Sequence, residues 1–172
     1  MPLIAPEGLL LGAIASVFAV RLRHDPQSES AHYIDTRFGQ IALVERQILE
    51  FPGGMPGFEQ TRRFVLIDLE SPRFSPYLLL QGIDGGTPSM AVLPLDIRCE
   101  IYRTEDLSDA ARALGIAFED CGLLLVSTIR RSDAEVTVTV NLRAPILVDL
   151  RRRSAWQKVL PNDRYAIRHR LR

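Results

Sequence analysis

Residues Glu135-Val-Thr-Val-Thr-Val-Asn-Leu142 constrain the fold more than any other stretch of this chain. Val136, Val138, Val140 and Leu142 fall on one side and Thr137, Thr139 and Asn141 on the other. A two-residue period belongs to a strand with one face buried and one solvated, whereas a helix would need a period of about 3.6. The valines and threonines are also stiff, β-branched residues that suit a pleated surface. Nothing in the segment is an obvious nucleophile, metal ligand or proton shuttle, so it speaks for architecture and not for chemistry.

Similar short segments recur from Tyr33 onward with turn residues between them. Strands are expected over residues 33–38, 40–44, 47–51, 63–68, 77–81, 90–93, 97–102, 123–129, 136–142 and 146–150. Residues 52–57 hold three glycines and two prolines and cannot be helical. One helix is expected over 107–114, where Leu107, Ala110, Ala111 and Leu114 share a face, Asp106 or Ser108 can cap the start and Gly115 can end it. Pro145 has no N–H to give a ladder and is expected at an edge or bulge. Many short strands with few crossovers make this an all-β, mostly antiparallel chain, a small β-barrel-like domain or sandwich with one short helix.

At 172 residues and 47% hydrophobic content the chain can bury one core without metals or disulfides. Cys99 and Cys121 stand 22 positions apart in separate apolar segments, which is neither a metal spacing nor a disulfide framework, so two reduced thiols and a cytoplasmic setting are expected. The domain is expected to span 32–172, with residues 1–31 as an amino-terminal extension outside the fold. Gly8 to Val20 is apolar but too short for a bilayer span, which needs about 20 residues. It also lacks the basic flank and small-residue cleavage site of a secretory signal.

The zero formal net charge conceals an asymmetry. Residues 1–150 carry 13 arginines against 20 carboxylates, and residues 151–172 carry eight cations against Asp163 alone. Such a tail can meet nucleic acid, with Trp156 and Tyr165 as stacking platforms, or fold back on the acidic body. His24, His32 and His169 have no partner at metal spacing, the serines lack a nucleophile-elbow context, and the glycine pairs read as turns. Adjacent carboxylates at Glu105-Asp106 and Glu119-Asp120 read as solvated, with a hydrolase pair as the competing account. From Asp84 to Asp120 eight carboxylates face three arginines, a stretch that would attract a basic partner or serve as a solvated surface.

Residues 33–171 resemble the flagellar assembly factor FliW family. The resemblance rests on Ile34-Asp-Thr-Arg-Phe-Gly39, Phe51-Pro-Gly-Gly-Met-Pro-Gly-Phe58, Phe64-Val-Leu66, Leu80-Gln81 with Asp84, the stretch from Val138 to Pro145, Asn162-Asp163 with Tyr165, and Arg168-His169 with Leu171. It implies a cytoplasmic, non-catalytic, monomeric barrel without a cofactor. It also implies two partners taken in turn, flagellin and the RNA-binding translational regulator CsrA, and neither a membrane nor direct nucleic-acid contact. On the resemblance, Met55 and Phe58 are expected as apolar anchors, with a turn tucking Phe58 into the core as the other reading. Glu100, Glu105, Asp106 and Asp109 are expected to meet the basic regulator. Tyr165, Arg168 and His169 belong either to barrel closure or to a flagellin site. The neutral charge balance and the apolar extension depart from the family pattern.

Overall fold

The computed structural model describes residues 19–21, 32–36, 39–43, 45–84, 88–132 and 135–171. In chain order the strands are β1 (Ala19–Arg21), β2 (His32–Thr36), β3 (Gly39–Leu43), β4 (Ile48–Glu50), β5 (Arg63–Asp68), β6 (Leu78–Gly82), β7 (Ser89–Leu95), β8 (Cys121–Arg131), β9 (Val136–Val140), β10 (Ile146–Asp149), β11 (Ser154–Gln157) and β12 (His169–Leu171). A single α-helix among the described residues, α1 (Thr104–Ala113), lies between β7 and β8.

Strands β4 to β8 pair antiparallel in sequence order, β8 pairs with β10, β10 with β11, and β11 returns to β4, which closes a ring. The closing pair is the thinnest: Ser154 sits opposite Glu50 in parallel, helped by the Glu50 N–H donating to Arg153 O at 2.8 Å. Two long strands each serve two neighbours on one edge. The first half of β8 pairs with β10 and its second half with β9, which carries β12. Likewise Arg63 to Val65 of β5 pair with β4, and Leu66 to Asp68 pair in parallel with β1. Ala19–Arg21 therefore lies on the sheet, and the expectation that all of 1–31 stands outside the fold fails for these three residues.

Alternation sorts the strand residues into separate cores. Phe64 and Leu66 of β5 join Leu49, Phe51, Leu80, Leu124, Ile146 and Val148 in one cluster, while Val65 and Ile67 face the β2–β3 hairpin with Ile41 and Leu79. Leu123 and Leu125 point the other way from Leu124, into a third cluster with Leu107, Ala111, Leu147, Leu160 and Tyr165. Strands buried on both faces read as continuous apolar runs, which is why 65–67 and 123–126 lack a polar face. Truncating Phe64 to alanine would cost about 3–5 kcal/mol, since its ring is fully enclosed and packs on Phe51 at 4.7 Å.

Helix α1 begins three residues before the expected start. Its first turn carries Glu105 and Asp106 near the positive end of the helix dipole, and Arg103 stands at the cap without a side-chain bond. Its end follows the expectation: Gly115 takes φ of +70° while its N–H reaches Arg112 O and the Ile116 N–H reaches Ala111 O, a Schellman closure. Residues 97–102, expected as a strand, are turns instead. The Asp96 carboxylate accepts the Arg98 N–H at 2.7 Å and the Cys99 N–H bonds Asp96 O, so local side-chain bonding overrides the alternation of Ile97, Cys99 and Ile101. Pro145 lies outside the strands, whereas Pro94 sits inside β7 opposite Leu124. Strand β6 ends opposite Val92, so the missing N–H of Pro94 falls where β7 has no strand on that edge.

Candidate functional site

The loop from Phe51 to Thr61 is shaped by its own backbone. The Gly54 N–H donates to Phe51 O, the Phe58 N–H to Met55 O and the Thr61 N–H to Phe58 O, all between 2.7 and 2.9 Å. Gly54 has φ of +71°, and a Cβ there would meet the Glu59 carbonyl oxygen at 2.5 Å, so both conformation and space require glycine. The Glu59 carboxylate accepts the Gly57 N–H at 2.9 Å, and this bond holds its carboxyl below the usual value. This frame separates the two expected anchors. Met55 is 2% exposed and packs into the cluster of Phe51 and Phe64, so it offers no surface to a partner. Phe58 is 46% exposed, which excludes the reading that tucked it into the core.

Beside this loop stands a clamp that sequence reasoning did not single out. Asp84 accepts the N–H groups of Arg62 and Arg63 at 3.0 and 3.2 Å, and its second oxygen meets Arg63 Nε at 3.0 Å. Burial pushes the Asp84 carboxyl up, but these bonds and the Arg63 charge outweigh it and hold the group below its ordinary value. The signal was present in the Leu80-Gln81 and Asp84 motif, although its role in joining the loop exit to the end of β6 needed the fold.

The acidic candidates divide on the structure. Asp106 is half-buried, accepts the Tyr165 hydroxyl at 2.5 Å and lies 3.5 Å from Arg164. Asp109 pairs with Arg112 across one turn of α1 at 2.9 Å, with both side chains well exposed. Glu100 and Glu105 are exposed and have no ion pair among the described residues. The exposed members Glu100, Glu105 and Asp109 therefore lie on α1 and the turn before it, and Asp106 belongs to a junction beneath them.

Tyr165 builds that junction. It is 4% exposed, its ring lies 4.8 Å from that of Tyr102, and its hydroxyl accepts the Arg103 N–H at 3.1 Å while donating to Asp106. Tyr102 in turn donates to Leu142 O at 2.9 Å. Burial first, and then the Asp106 carboxylate, raise the Tyr165 hydroxyl above its usual value. Burial does the same for Tyr102. Arg168 is exposed, and His169 opens β12 opposite Val140. These three neighbours in sequence thus divide between a core tie, a surface cation and an edge strand.

The basic tail folds back on the body. Arg151 meets Asp120 at 2.8 Å, Arg152 meets Asp149 at 3.6 Å, Arg164 meets Asp106, and Arg170 bonds Glu135. The Arg151 to Arg153 run is the turn between β10 and β11, shaped by buried Asp149, which accepts the N–H groups of Arg151 and Arg152. A shallow cleft of about 280 Å³ beside the ring closure is lined by Glu45, Ile48, Glu50, Arg63, Arg152 and Arg153. Arg63 and Arg152 are already engaged there by Asp84 and Asp149, and Arg153 by the Glu45 carbonyl. Cys99 and Cys121 are free thiols; burial pushes Cys121 up to about 12 and raises Cys99 as well, which disfavours thiolate chemistry at either.

Comparison with known proteins agrees with this geometry. The family model of the FliW protein matches residues 32–171. A flagellar assembly factor FliW from Syntrophus aciditrophicus is 32% identical over 78% of this chain and 83% of its own length. One from Thermosipho africanus is 32% identical over 80% of this chain and 93% of its own. A crystal structure of the flagellar assembly factor FliW superposes with a TM-score of 0.63 at 26% identity, covering 81% of this chain and 96% of that one. The ring of strands, the ordered motifs from Ile34 to Leu171 and these matches place the chain in the FliW family of flagellar assembly factors.

Proposed function

We propose that this chain is a cytoplasmic, non-catalytic partner switch that binds flagellin and, once flagellin has been exported, binds and antagonises CsrA, relieving repression of flagellin translation. Two complexes that exclude one another make the free regulator a readout of free flagellin by mass action. The observation that carries this reading is the acidic surface formed by α1 and the turn before it. Glu100, Glu105 and Asp109 stay exposed there, although the tail arginines already engage Asp106, Asp120 and Asp149. An exposed anionic face steers a basic partner such as an RNA-binding regulator, and it repels RNA itself. Phe58, held out by a braced loop, supplies an apolar anchor for the other partner.

Calorimetry of the full chain with CsrA, repeated after saturation with flagellin, tests the switch. Saturable CsrA binding that flagellin abolishes is the expected result, and simultaneous binding of both refutes the exclusion. Reversing Glu100 and Glu105 to lysine should weaken CsrA binding about tenfold or more and flatten its salt dependence. Unchanged affinity in that variant removes α1 from the interface.

The RNA-binding alternative has less support. Tyr165 is in the core and Trp156 packs partly buried against the cluster of Leu107 and Leu147. Stacking on single-stranded RNA needs exposed rings next to unpaired cations. Anisotropy with a labelled oligoribonucleotide should show only weak, salt-sensitive binding.

A further inference from the structure

The registered pairs of β7 with β8 end at Ala91 and Ser127, and β8 continues from Thr128 to Arg131 paired with β9. Strand β12 lines the other side of β9, so the ends of β8, β9 and β12 form a three-stranded arm. Register sorts its side chains onto two faces. Thr128, Arg130, Thr137, Thr139 and Arg170 share one of them. On the other, Ile129, Val138 and Leu171 lie side by side across the strands, with Arg131 and Val136 paired one step further out. This second face continues the one on which Leu125 and Val140 join the cluster of Leu107 and Ala111.

Along this face the core ends before the apolar pattern does. Val140 is buried, whereas Ile129 is 41% and Val136 53% exposed. Val138 and Leu171 between them are half-buried. Single exposed aliphatic residues are ordinary on a protein surface, but aliphatic residues aligned in register, with threonine and arginine on the reverse, are the pattern of a sheet with one face covered.

Two features indicate what covers it. The first is charge. Arg131 stands on the apolar face itself, exposed and in no ion pair among the described residues, and Arg130 and Arg168 at its margins are exposed and unpaired in the same sense. Glu135 is already taken by Arg170. The second is width: three strands about 4.8 Å apart make a ledge about 10 Å across, the diameter of one α-helix. A second copy of the chain would set these arginines against one another.

We infer that the ledge of β8, β9 and β12 is a docking surface for an acidic amphipathic helix of another protein, whose apolar stripe covers Ile129, Val136, Val138 and Leu171 and whose flanking carboxylates meet Arg131. The cationic margin is opposite in sign to the acidic surface of α1, so the two surfaces select partners of opposite charge. The inference does not rest on the flagellin and CsrA reading.

The test uses the full chain and two fluorescent helical peptides of about 18 residues, both with leucines at i, i+3, i+4 and i+7, one flanked by glutamates and the other by lysines. Anisotropy should show the glutamate peptide bound about tenfold tighter or more than the lysine peptide. Changing Ile129→Ser and Val136→Ser together should weaken the glutamate peptide about tenfold or more, and both side chains are exposed, so the fold is kept. Arg131→Glu should reverse the preference in favour of the lysine peptide, a gain of binding that unfolding cannot produce. Arg130→Glu, on the reverse face, should act more weakly. Equal binding of the two peptides, affinity that the serine variant leaves unchanged, or an Arg130→Glu effect as large as that of Arg131→Glu overturns the site. Sedimentation without peptide decides between occupants: a monomer is expected, and a dimer that the serine variant dissociates overturns the helix in favour of a second copy. Neither flagellin nor CsrA enters the experiment, so its failure and failure of the partner switch are distinguishable.

Discussion

Phe58 and Tyr165 each stand near a carboxylate in a polar stretch of sequence, Glu59 for one and Asp106 for the other, and the two pairs are put to opposite use. Glu59 turns to the Gly57 N–H and stabilises a loop that leaves the ring outside. Asp106 takes the Tyr165 hydroxyl and draws the ring inside against Tyr102. The phenol makes the difference. A buried tyrosine needs a partner for its O–H, and once it has one the aromatic ring and the carboxylate are fixed together. Phenylalanine has no such group, so its position is decided by the backbone around it, and here two glycines with positive φ direct that backbone outward.

This contrast breaks most visibly at the junction. Tyr165→Ala should lose about 3–5 kcal/mol of stability by denaturant titration, because it opens a cavity beside Tyr102 and leaves Asp106 and the Arg103 N–H without their partner. Tyr165→Phe isolates the hydroxyl and should cost about 1–3 kcal/mol. The pH dependence has a definite sign. Folding raises the Tyr165 and Tyr102 hydroxyls, so their contribution is complete below the ordinary tyrosine value of about 10 and is lost as pH rises through the folded values. Tyr165→Phe should flatten the alkaline decline without abolishing it.

On the loop side, Gly54→Ala should cost about 1–3 kcal/mol, since alanine at φ +71° is strained and its Cβ strikes the Glu59 backbone. Asp84→Asn should cost about 1–2 kcal/mol by weakening the clamp on Arg62 and Arg63. Because folding lowers the Asp84 carboxyl, the native clamp is at full strength above about pH 4 and weakens as pH falls through the folded value, a dependence the asparagine variant lacks. Phe58→Ala should change stability by less than about 0.5 kcal/mol in a thermal melt, as expected for an exposed ring, and act on partner affinity alone. A large stability loss there would mean that the ring supports the loop after all.

Much of the barrel was legible in local pattern. The alternation over 136–142 and the apolar runs of β5 and β8 carry their own evidence, because burial on one face or two leaves a periodic trace. Strand β11 carries little of that trace. Ala155 and Trp156 are its apolar residues, and its extended state is imposed by β10 on one side and β4 on the other. The three-residue strands β1 and β12 are too short for a period to register. At the candidate site, the glycine-rich loop announced its rigidity through composition, but which of Met55 and Phe58 faced outward depended on the barrel behind it. Tyr165 read ambiguously for a related reason: its partners Arg103 and Asp106 lie some sixty residues away, and no local pattern reports such a contact.

The closure of the ring through Glu50 and Ser154 bears on how the protein is made as well as on how it stands. Every other seam of the ring joins strands closer in sequence, and most join consecutive ones, so they can zip as their residues meet. This seam brings together positions more than a hundred residues apart through a single registered pair, and little is gained until the rest of the sheet holds the two ends near each other. The ring should therefore close last. During synthesis the protein would pass through an open, curved sheet whose two edges await the Arg151 to Arg153 hairpin, which emerges late and would act as the latch that ends its window of vulnerability to aggregation.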